Sequence, residues 1–217
     1  MNSLTKPILI VSSCLALAGA GGIASASVFD IQEIKSQPAS RSLPMLRWYF
    51  SRGSHTFPTL AQISAGGFAY LAYSALPSSV TLTQALSTLA SPQSKAFGFL
   101  MASVLSIGIA PVTALWMVPA CNFPLIELNE KLGGSRSERS AKVEGAGSGS
   151  AENSVNGKGQ ASQFTDLSGP QTKTQREATP AEERQVQELL DKFTRINYVR
   201  AALLGAGGVV GLVTALA

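Results

Sequence analysis

Three short stretches of this sequence concentrate side chains that are typical of a binding or catalytic site. Each stretch combines polar, cationic or aromatic groups and lies within or next to a long uncharged segment. The candidate residues are Trp48, Arg52 and His55 in the first stretch, Thr113, Trp116 and Asn122 in the second, and Asn197, Tyr198 and Arg200 in the third. In the second stretch, Pro111 and Pro119 predict a kinked helix, because proline removes a backbone hydrogen bond. Polar groups gathered where such a helix leaves a membrane indicate a site rather than a plain anchor.

Each of these residues also has an ordinary explanation when it is considered alone. Tryptophan and tyrosine are enriched at membrane–water interfaces. Arg200 can extend towards lipid headgroups, and Asn122 and Asn197 can hydrogen-bond across helices. Thr113 can satisfy a carbonyl that the Pro111 kink releases. The functional hypothesis therefore depends on the shared location of these residues, not on any one of them.

Several other chemistries are excluded by the residue types and their spacing. His55 is the only histidine, so a multi-histidine metal site cannot form, and no Cys/His metal spacing is present. The glycine-rich stretches at 19–22 and 205–211 lie within apolar segments, so they do not form phosphate-binding loops. There is no G-x-S-x-G nucleophile motif. The pI of 9.2 does not indicate nucleic acid, because the basic residues are not clustered.

The elements that must position the candidate residues are membrane-spanning helices. Only 14% of the residues are charged, and long stretches of the chain carry no charge. A bilayer span needs about 20 mainly apolar residues. Four spans follow, at residues 7–28, 58–76, 97–118 and 197–217. The sequence therefore predicts an all-α membrane protein, a four-helix transmembrane bundle in contact with the lipid bilayer.

The distribution of basic residues predicts the orientation of this bundle. The first loop, residues 29–57, carries Lys35, Arg41, Arg47 and Arg52, and the segment 119–196 is also rich in lysine and arginine. The positive-inside rule places both segments in the cytosol. All three candidate stretches then lie at the cytosolic ends of their helices.

The N-terminus has a second interpretation. Lys6, an apolar run and Ala24-Ser25-Ala26 resemble a cleavable signal peptide. The uncharged run is longer than the usual apolar core of about 7–15 residues, which favours a retained helix.

The chain divides into three regions. Residues 1–132 hold transmembrane helices 1–3 and their loops. Residues 133–178 are polar and poor in large apolar side chains, which predicts a disordered cytosolic insertion. In 179–217, Thr179, Pro180 and Glu182 form a helix-start signature, and apolar residues at helical spacing predict an amphipathic helix that continues into helix 4.

The sequence resembles the fungal anthrone oxygenase family, small four-helix membrane proteins of polyketide biosynthesis. The resemblance rests on three elements, at Trp48, Phe50, Gly53 and Pro58, at Pro111, Thr113, Met117, Pro119 and Asn122, and at Asn197 and Arg200. Together with the helix order they cover the chain except the insertion. Two positions depart from the family pattern, because Phe50 stands where tyrosine is expected and Phe193 where tryptophan is frequent.

This resemblance implies a secondary-metabolite monooxygenase that oxidises an apolar aromatic polyketide, an anthrone, to an anthraquinone. Oxygen is the co-substrate, and no metal or flavin cofactor is implied. His55 would be the base, since its unperturbed pKa is about 6.5, and Arg52 or Arg200 would stabilise the substrate anion. The remaining residues would bind substrate, with stacking by Trp48 and Trp116 and hydrogen bonds or contacts from Thr113, Asn122, Asn197 and Tyr198.

Two alternatives remain open. The protein could be a non-enzymatic membrane scaffold that uses the insertion and the 180–196 helix to bind partners. A small transporter fits less well, because the spans lack acidic residues and paired halves. The expected compartment is the endoplasmic reticulum membrane, because no other targeting signal is present.

Overall fold

The computed structural model describes residues 4–145, 150–152 and 166–217, and the regular secondary structure in these ranges is helical. This confirms the predicted all-α class. The helices are α1 (Thr5–Ser25), α2 (Ile31–Lys35), α3 (Ala39–Ser74), α4 (Leu82–Ala90), α5 (Lys95–Ile107), α6 (Ile109–Pro111), α7 (Phe123–Lys131), α8 (Glu138–Ser140) and α9 (Pro180–Leu216).

Among the residues that the structure describes, three helical stretches are long and apolar enough to cross a membrane. They are Thr5–Lys35, Lys95–Lys131 and Pro180–Leu216, and they contain the first, third and fourth predicted spans. The second predicted span, 58–76, falls largely within α3, which does not reach the same apolarity. Gln62 and Ser64 lower its hydropathy although the segment is uncharged. A membrane protein is therefore supported, whereas the number of four spans stays a prediction.

The chain forms two compact units. The first unit contains residues 4–24, 56–112 and 198–217, and its core is a cluster of apolar side chains around Phe68. Phe68 and Leu204 are completely buried, and Phe99 is 5% exposed. These residues come from α3, α9 and α5, so three helices that are distant in sequence share one core.

Glycine allows the helices of the first unit to approach closely. A Cβ atom added at Gly207 would lie 2.9 Å from the backbone oxygen of Ala102, and one added at Gly211 would lie 2.2 Å from the ring of Phe68. Such contacts leave no space for a methyl group. Small residues at helix contacts are the usual basis of membrane helix packing, and in α1 Gly19 likewise faces Leu204.

The second unit contains residues 25–55 and the described residues of 113–197. Its buried apolar side chains come from α2, the first part of α3, α7 and the first part of α9; they include Ile31, Leu43, Leu46, Leu125, Val186, Leu190 and Ile196. The predicted capping box at the start of α9 is confirmed. The Thr179 amide donates to the Glu182 carboxylate at 2.9 Å, and the Glu182 amide donates to the Thr179 hydroxyl at 3.3 Å.

The proline-rich segment after α6 is a run of wide π-helical turns. It extends over Val112–Asn122 and has Pro119 inside it, with Pro111 immediately before it. Proline cannot donate the usual hydrogen bond and crowds the preceding turn, and wide turns are one way in which a helix accommodates the disruption. The sequence predicts a kink at these prolines, and the structure has its wide turns at the same place.

Part of the predicted disordered insertion, residues 146–149 and 153–165, lies outside the described residues. The described parts of 133–178 do form specific contacts. Gly133 adopts φ +78°, and the Arg176 amide donates to the Leu132 carbonyl at 3.1 Å. Disorder of this region is therefore not confirmed.

Candidate functional site

The first candidate stretch lies on a continuous helix. The sequence places residues 29–57 in a loop, whereas α3 runs from Ala39 to Ser74 and includes the whole first stretch. Gly53 and Pro58 are poor helix formers, but propensity is a weak preference that tertiary packing can override. Buried Leu46 and Ser51 show that this part of α3 packs against its own unit.

The helix places Trp48, Arg52 and His55 on one face. Their spacing of four and three residues is the spacing at which helical side chains are neighbours. The guanidinium carbon of Arg52 lies 5.3 Å from the centroid of the Trp48 ring. This distance is within the range of a cation–π interaction. The three residues of this stretch are therefore brought together, as an Arg–Trp pair with the only histidine beside it.

Both members of this pair contact a turn from the far end of the insertion. The Trp48 indole nitrogen donates to the Ser168 carbonyl at 2.9 Å. The Arg52 Nη2 group donates to the carbonyl oxygens of Asp166 and Ser168. The polar ends of the two side chains are thereby held by main-chain acceptors.

Asp166 organises this turn from a buried position. Its carboxylate accepts hydrogen bonds from the Ser137 hydroxyl and from the amide and hydroxyl of Ser168. Burial tends to raise the pKa of Asp166, but these hydrogen bonds and the nearby Arg136 charge outweigh it and lower the pKa to about 2. Asp166 is therefore a carboxylate at neutral pH.

The pKa of His55 is lowered from its usual value of 6.5, first by burial and second by the positive charge of Arg52. Both effects disfavour the imidazolium form. His55 is therefore predominantly neutral near pH 7 and has a nitrogen that can accept a proton.

The second stretch belongs to the same unit. Thr113 and Asn122 are partly buried in the wide-turn segment, and Trp116 is 48% exposed. The Oδ1 atom of Asn122 is buried without a hydrogen-bond partner in the described ranges. Asn197, from the third stretch, is also in this unit and is 2% exposed.

The last two candidates lie in the first unit. Arg200 is buried at 7% exposure, whereas Tyr198 is 45% exposed. The sequence leaves open that the Arg200 side chain extends towards lipid headgroups; the buried position does not agree with that alternative. That these two residues share a site with Trp48, Arg52 and His55 stays a prediction.

Several residues with a defined place in the site carry no strong sequence signal. Asp166, Ser137 and Ser168 lie in a serine- and glycine-rich region whose composition predicts disorder. The local sequence Asp166-Leu167-Ser168-Gly169-Pro170 does have turn-forming residue types, which is the one signal for an ordered turn. Within the described ranges, no group of three His, Cys, Asp or Glu side chains could hold a metal ion.

Phe50 and Phe193, the two positions expected from the resemblance to carry other aromatic residues, contact each other. The rings of Phe50 and Phe193 have centroids 5.3 Å apart at 41°. This geometry is typical of a favourable aromatic pair, so both departures fall at one packing contact between α3 and α9.

The helices that are long and apolar enough to cross a bilayer define the chain as a helical integral membrane protein. A family model described as anthrone oxygenase matches residues 46–210, about three quarters of the chain, and this range includes every candidate site residue. The chain belongs to the anthrone oxygenase family. No curated protein and no solved structure matches it.

Proposed function

We propose that this protein is a membrane oxygenase that converts a polyketide anthrone to an anthraquinone with O2. Membership of the family supports this class of reaction. The observation that carries the proposal is the face with Trp48, Arg52 and His55, where a neutral histidine lies beside a positioned guanidinium. A base and a fixed cation are the two groups that oxidation of a carbon acid requires from a protein.

The chemistry begins with removal of a proton. The methylene group of an anthrone is acidic because its anion is delocalised over the phenolic rings. His55 accepts this proton, and Arg52 stabilises the negative charge that develops on the substrate oxygen. The indole of Trp48, next to Arg52, provides an aromatic surface for the flat ring system.

Oxygen then reacts with the electron-rich anion. The carbanion carbon bonds to one oxygen atom of O2, and a proton returns to the other oxygen to form a hydroperoxide. Loss of the remaining C–H proton together with cleavage of the O–O bond gives the ketone and one molecule of water. The methylene group loses two hydrogens and gains one oxygen, so O2 is fully accounted for and no further cofactor is needed.

The proposal is tested by turnover in membranes that contain the protein. Emodin anthrone is supplied in air and under nitrogen, and quinone absorbance is followed against membranes without the protein. We expect O2-dependent conversion that falls by about 10²–10⁴-fold in His55→Gln, the usual contribution of a general base. Ser54→Ala, an exposed neighbour on the same helix, serves as the control and should retain activity.

Two results would contradict the proposal. Unchanged turnover in His55→Gln would exclude His55 as the base. Absence of conversion above background, with the protein correctly inserted, would instead favour the non-enzymatic scaffold.

A further inference from the structure

Residues 166–176, here called the strap, contact the helices of the second unit largely through polar groups. Asp166 and Thr174 are its buried residues, whereas Leu167 is 90% exposed. A segment that buries so little apolar surface gains little from the hydrophobic effect. Its position is therefore determined mainly by hydrogen bonds.

The C-terminal end of the strap is attached independently of Asp166. The Thr174 amide donates to the Ser40 carbonyl at 2.8 Å, and the Arg176 amide donates to the Leu132 carbonyl. The backbone at Gly133 also approaches Gln175 so closely that an added Cβ would lie 2.8 Å from the Gln175 Cβ. A change at Asp166 can thus alter the N-terminal end of the strap while the other end stays attached.

The N-terminal end is linked to α8 through Asp166. The Ser137 hydroxyl donates to the Asp166 carboxylate and accepts from the Ser140 amide at 3.0 Å, which caps α8. The same carboxylate accepts from the Ser168 amide at 3.0 Å and from its hydroxyl at 2.7 Å. A buried carboxylate with several donors fixes the turn 166–168 in one conformation.

This turn directs two carbonyl groups at the Arg52–Trp48 pair. An arginine side chain carries about 2 kcal/mol of rotamer entropy, so a mobile guanidinium would be a poor stabiliser of a developing charge. Hydrogen bonds from Nη2 to the carbonyls of Asp166 and Ser168 restrict it, and the indole bond to Ser168 restricts the ring beneath it.

We propose that Asp166 is a positioning residue, which holds the guanidinium of Arg52 over the Trp48 ring through the carbonyl groups of the 166–168 turn. Its contribution to turnover rests on the function proposed above, whereas its effect on the Arg52–Trp48 pair does not. The 166–168 turn then completes the site.

The test uses the full-length protein in detergent, and every variant carries the Trp116→Phe substitution as its background, so that Trp48 is the sole tryptophan. Asp166→Asn removes the charged acceptor, and Ser137→Ala removes one of its donors without changing the charge. Leu167→Gln, at the exposed position in the same turn, is the control. We expect both test variants to increase acrylamide quenching of Trp48 and the control to match the background protein.

A double-mutant cycle with Arg52→Gln identifies the route of the effect. In the native background, Asp166→Asn should lower kcat by up to about a hundredfold, the cost of a small misplacement at a reacting centre, with a smaller change in KM. If Asp166 acts through Arg52, the double variant will be no slower than Arg52→Gln alone.

Three results would overturn the proposal. Unchanged quenching in both test variants would show that Asp166 does not hold the pair, whether or not the protein turns over anthrones. Increased turnover in Asp166→Asn or Ser137→Ala would show that the strap hinders the reaction instead of positioning Arg52. Fully additive losses in the double-mutant cycle would show that Asp166 does not act through Arg52.

Discussion

At the scale of single residues, the environment of His55 determines what the candidate site can do. Burial and the charge of Arg52 both lower its pKa, so the residue is kept in the form that accepts a proton. The sequence indicates that His55 and Arg52 are near each other, but not that they share a helical face with Trp48. That arrangement depends on α3 continuing through Gly53 and Pro58.

The pH dependence of turnover should report this environment. Because the folded pKa of His55 is below 6.5, kcat/KM should remain high at neutral pH and fall only as the pH drops through the folded value. Arg52→Gln removes the positive charge that helps to lower the pKa of His55. The variant should therefore move this acidic limb towards higher pH, in addition to slowing the reaction. Pre-steady-state or initial-rate measurements from pH 4 to 8 will show the shift.

Two further variants make this assignment specific. Arg52→Lys keeps the positive charge and should leave the acidic limb in place even though it loses the guanidinium geometry. Arg41→Gln removes an exposed charge on the same helix and should have no effect on the limb. An acidic limb that stays at the same pH in Arg52→Gln would contradict the coupling.

The same shift affects stability with a defined sign. The unfolded chain binds this proton more readily than the folded protein, so the contribution of His55 to stability is complete above about pH 6.5. It decreases as the pH falls from there towards the folded pKa.

At the scale of helices, close packing in the first unit depends on glycine at particular positions. Gly207 faces the backbone of α5, which cannot move aside as a flexible side chain could. Small residues in apolar segments are visible in the sequence, but their individual contacts are not, because the pattern does not show which face of a helix meets which neighbour.

Gly207→Ala should therefore destabilise the protein by about 1–3 kcal/mol, the usual cost of overpacking. Gly21→Ala is the matched control, since a Cβ at that position meets no atom within 4 Å. Alanine also favours a helix over glycine by up to about 1 kcal/mol, so the control should be neutral or slightly stabilising. Thermal unfolding of both variants in the same detergent will compare them, and equal midpoints would contradict the packing.

Helix starts and apolar faces are the parts of the fold that the sequence predicts well. The capping box of Thr179 and Glu182 is local, and buried Val186, Leu190 and Phe193 repeat at helical spacing. The wide turns of Val112–Asn122 are less predictable, because prolines indicate a disruption without specifying its form. The ordered turn at Asp166 is the least predictable part. The composition of this region predicts disorder, and the turn is ordered by the hydrogen bonds of one buried carboxylate.

At the scale of the whole molecule, the open question is whether α3 crosses the membrane. Residues 58–76 are uncharged but contain polar side chains, and α3 is less apolar than the three described stretches that are long and apolar enough to cross a membrane. The four-span prediction requires that the N-terminus and the 77–94 loop lie on the same side of the bilayer.

This requirement can be measured with glycosylation acceptor sites. One site is added before Lys6, and the other is inserted between Ser78 and Ser79, which are exposed. Both should be modified in the lumen if four spans are present, and a site at residue 173 should remain unmodified. Modification at residue 173, or at the N-terminal site but not at the 78–79 site, would contradict the four-span topology.

The attachment of the strap through main-chain groups has a consequence for how this part of the gene can change over time. Trp48, Arg52 and the helix ends bind carbonyl groups, which every amino acid supplies, and amide groups, which every amino acid except proline supplies. Strap positions whose side chains make no hydrogen bond, such as exposed Leu167, are therefore open to drift. Selection should instead fall on Asp166, on its hydrogen-bond donors Ser137 and Ser168, and on Gly133, which Gln175 approaches closely. A segment that looks hypervariable in an alignment can thus keep a constant shape.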